Sequence, residues 1–325
     1  MSPRGERPMS PPAEFRSYYG QPVIKPPTWK SPDVPAYFFL GGLAGASSAM
    51  AELADLTGRH RLARVSRLVA AAGAAGGTAF LVHDLGRPER FLNMLRVFKP
   101  TSPLSMGSWV LAAFGTLSGS AAASDVTGRL PRLGRGAQVE AALLSPIMMT
   151  YTAVLVSDTA VPAWHEAYRE LPFLFAGGSL TSGAGVGLLS VQPADAAPAR
   201  VLAVGGAALE VAAERRLSRR LGALAEPYHS GSAGRWMKAG QALSIAGAVT
   251  AVAGRRSRVL SAVAGAALLG GSLCTRFGVY EAGKASAKDP RYTVEPQRER
   301  LRERAAKSAA AGFVPASEPG VTVGQ

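Results

Sequence analysis

The chain has 325 residues, 47% of them hydrophobic, 7% aromatic and only 18% charged, with a formal charge of +14. Together with 37 glycines and a positive mean hydropathy, this excludes an ordinary soluble domain and points to a membrane protein. The arginines and lysines fall in loops and tails between apolar runs, where basic residues meet lipid headgroups or set topology, so the charge does not indicate a nucleic-acid partner. The single cysteine, Cys274, cannot build an iron–sulfur cluster or a cysteine-rich zinc site.

In chain order, residues 1 to 33 are rich in proline and have no apolar core before Pro35. They read as a disordered or extended lead and not as a cleaved signal. Apolar runs follow near 35 to 54, 67 to 82, 105 to 123, 139 to 160, 171 to 190, 198 to 213, 237 to 253 and 259 to 277. Most reach the roughly 17 to 20 residues that cross a bilayer as a helix. The expectation is an all-α, polytopic transmembrane helix bundle of about eight spans within residues 34 to 285. Spans six and seven are the weakest, because Glu210 interrupts one and Gln241 and Ser244 the other. Small residues crowd GGLAGASSA (41 to 49), AAAGAAGG (70 to 77) and GGSLTSGAGVG (177 to 187), as close helix packing in lipid requires. Residues 286 to 325 form a polar tail, with a short charged helix within 295 to 311 and a loose end. Eight spans put both termini and the 83 to 104 loop on one side, and the loop cations divide almost evenly between the two sides.

The polar inventory is short. None of the four histidines, His60, His83, His165 and His229, lies deep in a span, so no facing pair exists to ligate haem, and no metal site is expected. No P-loop, GxSxG elbow or HExxH is present. The ionisable residues near membrane depth are Glu52 and Asp55 at the end of span one, Asp84 and Glu89 after span two, and Asp158 late in span four. Glu210 and Glu214 close span six, and Glu281 follows span eight. Such residues are expensive in lipid and are functional candidates by default, although a carboxylate one turn inside the headgroups can simply reach water. Tyr151 precedes Asp158 by seven residues, two helical turns, and so shares its face.

The run DLGRPERF (84 to 91), then KPTSPLSMGSWVL (99 to 111), YTAVLVS with VPAW (151 to 157, 161 to 164), LPFLFAGGSLTSGAG (171 to 185) and RFGVYEAGKASAKDPRY (276 to 292) resembles the NrfD/PsrC family. These are membrane subunits of polysulfide, nitrite and formate-type oxidoreductases. The similarity covers about residues 35 to 295, and the pattern as a whole is nearest the formate dehydrogenase branch. It departs in having YTA where YTG is common and in its longer proline-rich lead.

The resemblance implies a multi-pass subunit of the bacterial cytoplasmic membrane that binds a quinone of the menaquinone type. Such a subunit exchanges electrons with a ferredoxin-like iron–sulfur subunit, which serves a molybdopterin catalytic subunit. A chain without haem or thiol clusters then needs a docked partner whose cluster comes near its quinone. On this reading Tyr151 donates to a quinone carbonyl and Asp158 relays its proton. His83, Asp84, Arg87, Glu89 and Arg90, with turns at Gly86 and Pro88 and an Arg87/Glu89 or Arg90/Asp84 pairing, form a polar cap that receives the iron–sulfur partner and walls the quinone. Residues 91 to 99 lie in the interface plane. Trp109 and Trp164 line the pocket or anchor at the interface. Two rival classes are a passive membrane anchor and a secondary transporter, the latter disfavoured by carboxylates placed at helix ends.

Overall fold

The computed structural model describes residues 24, 25, 27 to 85 and 87 to 310. Eight long helices make the bundle: α1 (Asp33–Leu56), α2 (His60–Asp84), α3 (Pro103–Thr127), α4 (Pro131–Ser157), α6 (Leu171–Ser190), α7 (Ala197–Leu221), α9 (Gly231–Ala253) and α10 (Arg258–Lys288). Shorter helices α5 (Pro162–Glu166) and α8 (Glu226–His229), and the polar α11 (Arg291–Ala310), lie outside it. Five helices, α1, α2, α4, α6 and α10, are long and apolar enough to cross a membrane by composition. The other three owe their place to packing: α3 to α4, α7 to α6, and α9 to α10.

Local chemistry starts and stops these helices. Proline stands in the first turn of α3, α4, α6 and α7, where its missing N–H costs nothing. The side chains of Ser102 and Ser257 cap α3 and α10. Gly128, at φ 68°, ends α3 in the left-handed conformation. The small residues do what lipid demands. A Cβ on Gly177 would stand 2.8 Å from the Gly206 carbonyl oxygen, and one on Gly185 2.7 Å from that of Gly265, so α6 touches α7 and α10 backbone to backbone.

Contacts at the helix ends show that the eight helices alternate in direction. At one end, called here the mouth, Asp33 of α1 meets His83 of α2, Glu170 before α6 meets Arg220 of α7, and Ala163 of α5 meets Ser286 of α10. At the far end Arg67 of α2 bridges Asp55 and Asp125, and Arg135 of α4 binds Glu52 at 2.5 Å through two bonds. The start of α1, the end of α10 and the 85 to 102 connection all lie at the mouth.

The helices outrun the apolar runs that revealed them. Span two begins at His60 and not at 67, span four at Pro131, span six runs to Leu221, and span eight runs to Lys288. Hydropathy marks only the stretch facing lipid tails, whereas backbone hydrogen bonding continues into the headgroup layer. Span four is instead shorter at its end, closing at Ser157. The tail helix is α11, beginning at Arg291, four residues before the stretch that suggested it. Of the proline-rich lead, residues 1 to 23 lie outside the described residues, as do 311 to 325. The described part of the lead is tied down: Trp29 stacks on Trp164 with ring centroids 5.4 Å apart, and Tyr280 donates to the Trp29 carbonyl at 2.6 Å.

Candidate functional site

Three polar assemblies interrupt the apolar interior. The first is at the mouth, and α1, α2, α3 and α4 build it. Asp33, in the first turn of α1, is buried and bonds His83 Nδ1 at 2.7 Å, while the His83 side chain is 74% exposed. One turn further along the same face of α1 is Tyr37, whose hydroxyl hydrogen-bonds that of Tyr151 on α4. The two rings stand edge to face, 6.3 Å apart. Tyr151 lies flat on α3 where residue 107 has no side chain: a Cβ there would be 2.8 Å from Tyr151 Cε2. A crevice of about 10 Å³ lined by Leu81, Met94, Leu104, Gly107 and Ser108 opens on this tyrosine pair. The mouth therefore carries two hydrogen-bonded pairs one helical turn apart on α1, His83–Asp33 at the solvent side and the buried phenols Tyr37–Tyr151.

The other residues expected at this site spread around it. Asp84 accepts from the Lys30 backbone N–H at 2.9 Å; the expected Arg90/Asp84 pairing falls on a side chain outside the described residues, and Gly86 lies outside them too. Arg87 and Glu89 are exposed at the start of a 3-10 turn over Pro88–Leu95, and among the described residues no ion pair joins them. Residues 96 to 102 after it are irregular, and Leu92 within the 3-10 stretch and Val97 and Phe98 beyond it are exposed. Trp109, 38% exposed, donates to the Val97 carbonyl and meets Phe98 edge-on, as an interfacial anchor does. Trp164 is fully buried and donates to the Val279 carbonyl at 2.7 Å, which locks α5 to α10 away from the tyrosine pair. Near it Tyr228, outside the spans, donates to the Ala163 carbonyl, and burial pushes its phenol well above the usual tyrosine range.

Asp158 does not share the buried face of Tyr151. The helix ends at Ser157, and Asp158 is its exposed C-cap. Seven-residue spacing aligns two side chains only while the helix continues.

The second assembly lies inside the bundle, between α6, α7, α9 and α10. Glu210, 1% exposed, accepts from Thr275 Oγ1 at 2.6 Å. Arg276, equally buried, lays its guanidinium 3.8 Å over the Phe175 ring and donates to the Phe175 carbonyl at 2.7 Å and Ser179 Oγ at 2.9 Å. Both flank Gly178, where a Cβ would stand 3.6 Å from Glu210 Oε1 and from Arg276 Nη2. Glu210 Oε2, Arg276 Nε and Nη1, Ser244 Oγ and Ser272 Oγ have no protein partner. One turn on, Glu214 accepts from Gln241 of α9 at 2.8 Å. Because α7 extends to Leu221, Glu210 sits near its middle and not at its end. Reading span six as closing at 213 misplaced it. Arg276 escaped notice in the sequence, although an arginine inside an apolar run is itself a signal.

The third assembly is the far-end network, where Arg64, Arg67 and Arg135 offset Glu52, Asp55 and Asp125 around a cleft of about 480 Å³. Glu52 and Asp55 thus tie α1 to α2 and α4 in addition to reaching water, and Asp125 brings in α3. The charges balance, and the donors are already engaged.

An alternating helical bundle of long apolar helices with small-residue contacts defines a polytopic membrane protein. The chain belongs to the NrfD family: a sequence model described as polysulphide reductase, NrfD, matches residues 25 to 196, a little over half its length. Proteins of this family are membrane subunits of reductase complexes and work with iron–sulfur and molybdopterin subunits. Among curated proteins none matches the chain. The matched region contains α1 to α4 and α6, and with them the whole mouth assembly, while Glu210 and Arg276 lie beyond it.

Proposed function

We propose that the chain takes a quinol or quinone, of the menaquinone type, at the mouth and exchanges its electrons with an iron–sulfur subunit docked there. A molybdopterin enzyme of the formate dehydrogenase type would complete the complex. The observation that carries this reading is the hydrogen-bonded pair Tyr37–Tyr151 joined through α1 to His83–Asp33, at the end of the bundle that also presents the charged 84 to 91 connection. Quinol oxidation releases two electrons and two protons. The electrons leave to the partner's cluster, and the protons need acceptors that reach water. Tyr151 hydrogen-bonds the quinone oxygen, Tyr37 hydrogen-bonds Tyr151, and the Asp33–His83 pair one turn along α1 is the proton acceptor that reaches water. His83 and Asp33 replace Asp158 as relay, since Asp158 is already in solvent.

The tyrosine pair supplies a hydroxyl donor for one oxygen of a quinone headgroup. The crevice of about 10 Å³ holds no more than one water, so entry of a ring requires the Met94 and Leu104 wall to yield. Leu104, 51% exposed, is on the outer surface, the side from which a quinone would enter.

Tyr151→Phe is the test. The complex should assemble, and quinone-linked turnover should fall about 10- to 100-fold while electron transfer to a soluble dye is retained. Unchanged quinone kinetics would place the headgroup elsewhere and favour a passive anchor.

One observation favours a second role. Glu210, 1% exposed near the middle of α7, gives the fold a proton-binding group at membrane depth. If it carries protons across, Glu210→Gln in proteoliposomes should abolish acidification linked to turnover and leave quinol oxidation itself intact.

A further inference from the structure

The outward face of the α7–α9 pair carries cations that neither the mouth nor the buried cluster uses. Glu214 and Gln241 bond across the pair and fix its register. Counted from that contact at about 100° per residue, with the two helices antiparallel, Arg215 and Arg219 of α7 and Arg235 and Lys238 of α9 come out on the same side. All four are exposed. At about 1.5 Å per residue they rise from the level of Arg215 to that of Arg235 within about 8 Å, one headgroup layer. Arg216 and Arg220 point the other way, to Glu170. Among the described residues no carboxylate forms an ion pair with Arg215, Arg219, Arg235 or Lys238, although Arg219 at the edge also lines a groove with Glu226 and Glu295. The first turn of α9, which holds Arg235 at its close, contains no acid.

Below the cations the same side turns apolar. Val201, Val204 and Ala208 of α7 and Ala242, Ile245 and Val249 of α9 are exposed along it, with the two alanines forming a shallow waist. A cationic cluster one headgroup deep above a smooth apolar lane is complementary to one amphiphile.

We propose that this face binds an anionic phospholipid with two phosphate groups, its phosphates held by Arg215, Arg219, Arg235 and Lys238 and its acyl chains lying along the α7–α9 lane. Four fixed cations with no acidic partner repel one another in the low-dielectric headgroup region, and a doubly charged lipid relieves that repulsion. The site would seal α7 and α9, which composition alone does not commit to the membrane, against the rest of the bundle. It stands apart from the quinone reading.

The experiment purifies the complex in detergent and titrates it with tetraoleoyl cardiolipin and, separately, dioleoyl phosphatidylcholine, reading retained lipid by native mass spectrometry. The wild type should retain cardiolipin and not phosphatidylcholine. Arg215→Ser with Lys238→Ser should weaken cardiolipin retention by about 25-fold, since each cation near an anionic surface is worth about fivefold in affinity. Arg215→Lys with Lys238→Arg should restore it, and Arg255→Ser with Arg256→Ser at the far end should leave it unchanged. Equal retention of both lipids, or full retention by the serine pair, would overturn the site. So would loss of the iron–sulfur subunit from the serine pair with cardiolipin kept, which would make this a protein surface.

Discussion

Replacing Gly107 by alanine tests the mouth with the smallest available change. The new Cβ would fall 2.8 and 2.9 Å from Tyr151 Cε2 and Cδ2, where carbon atoms normally rest at about 3.5 to 4.0 Å. The atoms it meets belong to a ring held by the Tyr37 hydroxyl, so the ring must retreat by about 1 Å and part from that hydroxyl. Overpacking of this kind costs about 1 to 3 kcal/mol, and the lost buried hydrogen bond adds roughly 1 kcal/mol. The loss in turnover should be larger than the loss in stability, because a 1 Å displacement of a positioned group can cost about 100-fold. Gly115→Ala is the control: it lies two turns along the same helix with nothing within 4 Å of its would-be Cβ. Thermal unfolding of the detergent-solubilised complex and quinol-linked turnover are measured side by side. Turnover in Gly107→Ala equal to that of Gly115→Ala would refute the claim that Tyr151 must sit where it does.

Asp158→Asn should leave quinol turnover within about twofold, because an exposed C-cap makes no contact with the tyrosine pair; a large loss would restore the seven-residue relay. Thr275→Val should destabilise the bundle by about 1 to 3 kcal/mol by removing the 2.6 Å hydrogen bond to the Glu210 carboxylate, as read by thermal unfolding. Arg67→Ala should cost roughly 1 to 3 kcal/mol, less than a fully buried pair, since Asp55 keeps Arg135 and Asp125 keeps Arg64, and added salt should narrow the difference. Arg87→Glu should release the iron–sulfur subunit, at about 2 to 5 kcal/mol for a broken interfacial charge contact, while the helices remain inserted; full co-purification would move the docking face elsewhere.

The bundle was legible because lipid allows so few solutions: apolar runs of the right length located all eight long helices, and the small-residue stretches located their contacts. Helix ends were less legible: hydropathy fades before hydrogen bonding stops in α7 and runs on past the last helical residue in α4, and each mismatch displaced one acid. Asp158 was drawn into α4 although the helix ends one residue earlier, and Glu210 was pushed to the edge of α7 although the helix runs eleven residues beyond it. Tyr151 was found through its motif, but Tyr37 and Asp33, its partners on α1, carried no local signal. Their importance comes from packing α1 against both α2 and α4, and no spacing within α1 expresses that. Gly107 stood in plain sight in PTSPLSMGSW, yet only the Tyr151 ring lying on it explains why no side chain is tolerated there.

The central claim is that a quinone headgroup sits against Tyr37 and Tyr151 at the mouth. A photoreactive ubiquinone or menaquinone analogue, irradiated with the membrane-embedded complex and followed by peptide mapping, tests it most directly. Saturable labelling within 34 to 40, 103 to 108 or 148 to 155, displaced by excess unlabelled quinone and weakened in Tyr151→Phe, is the expected result. Saturable labelling confined to the far-end cleft around Asp55, His60 and Arg135 would contradict it.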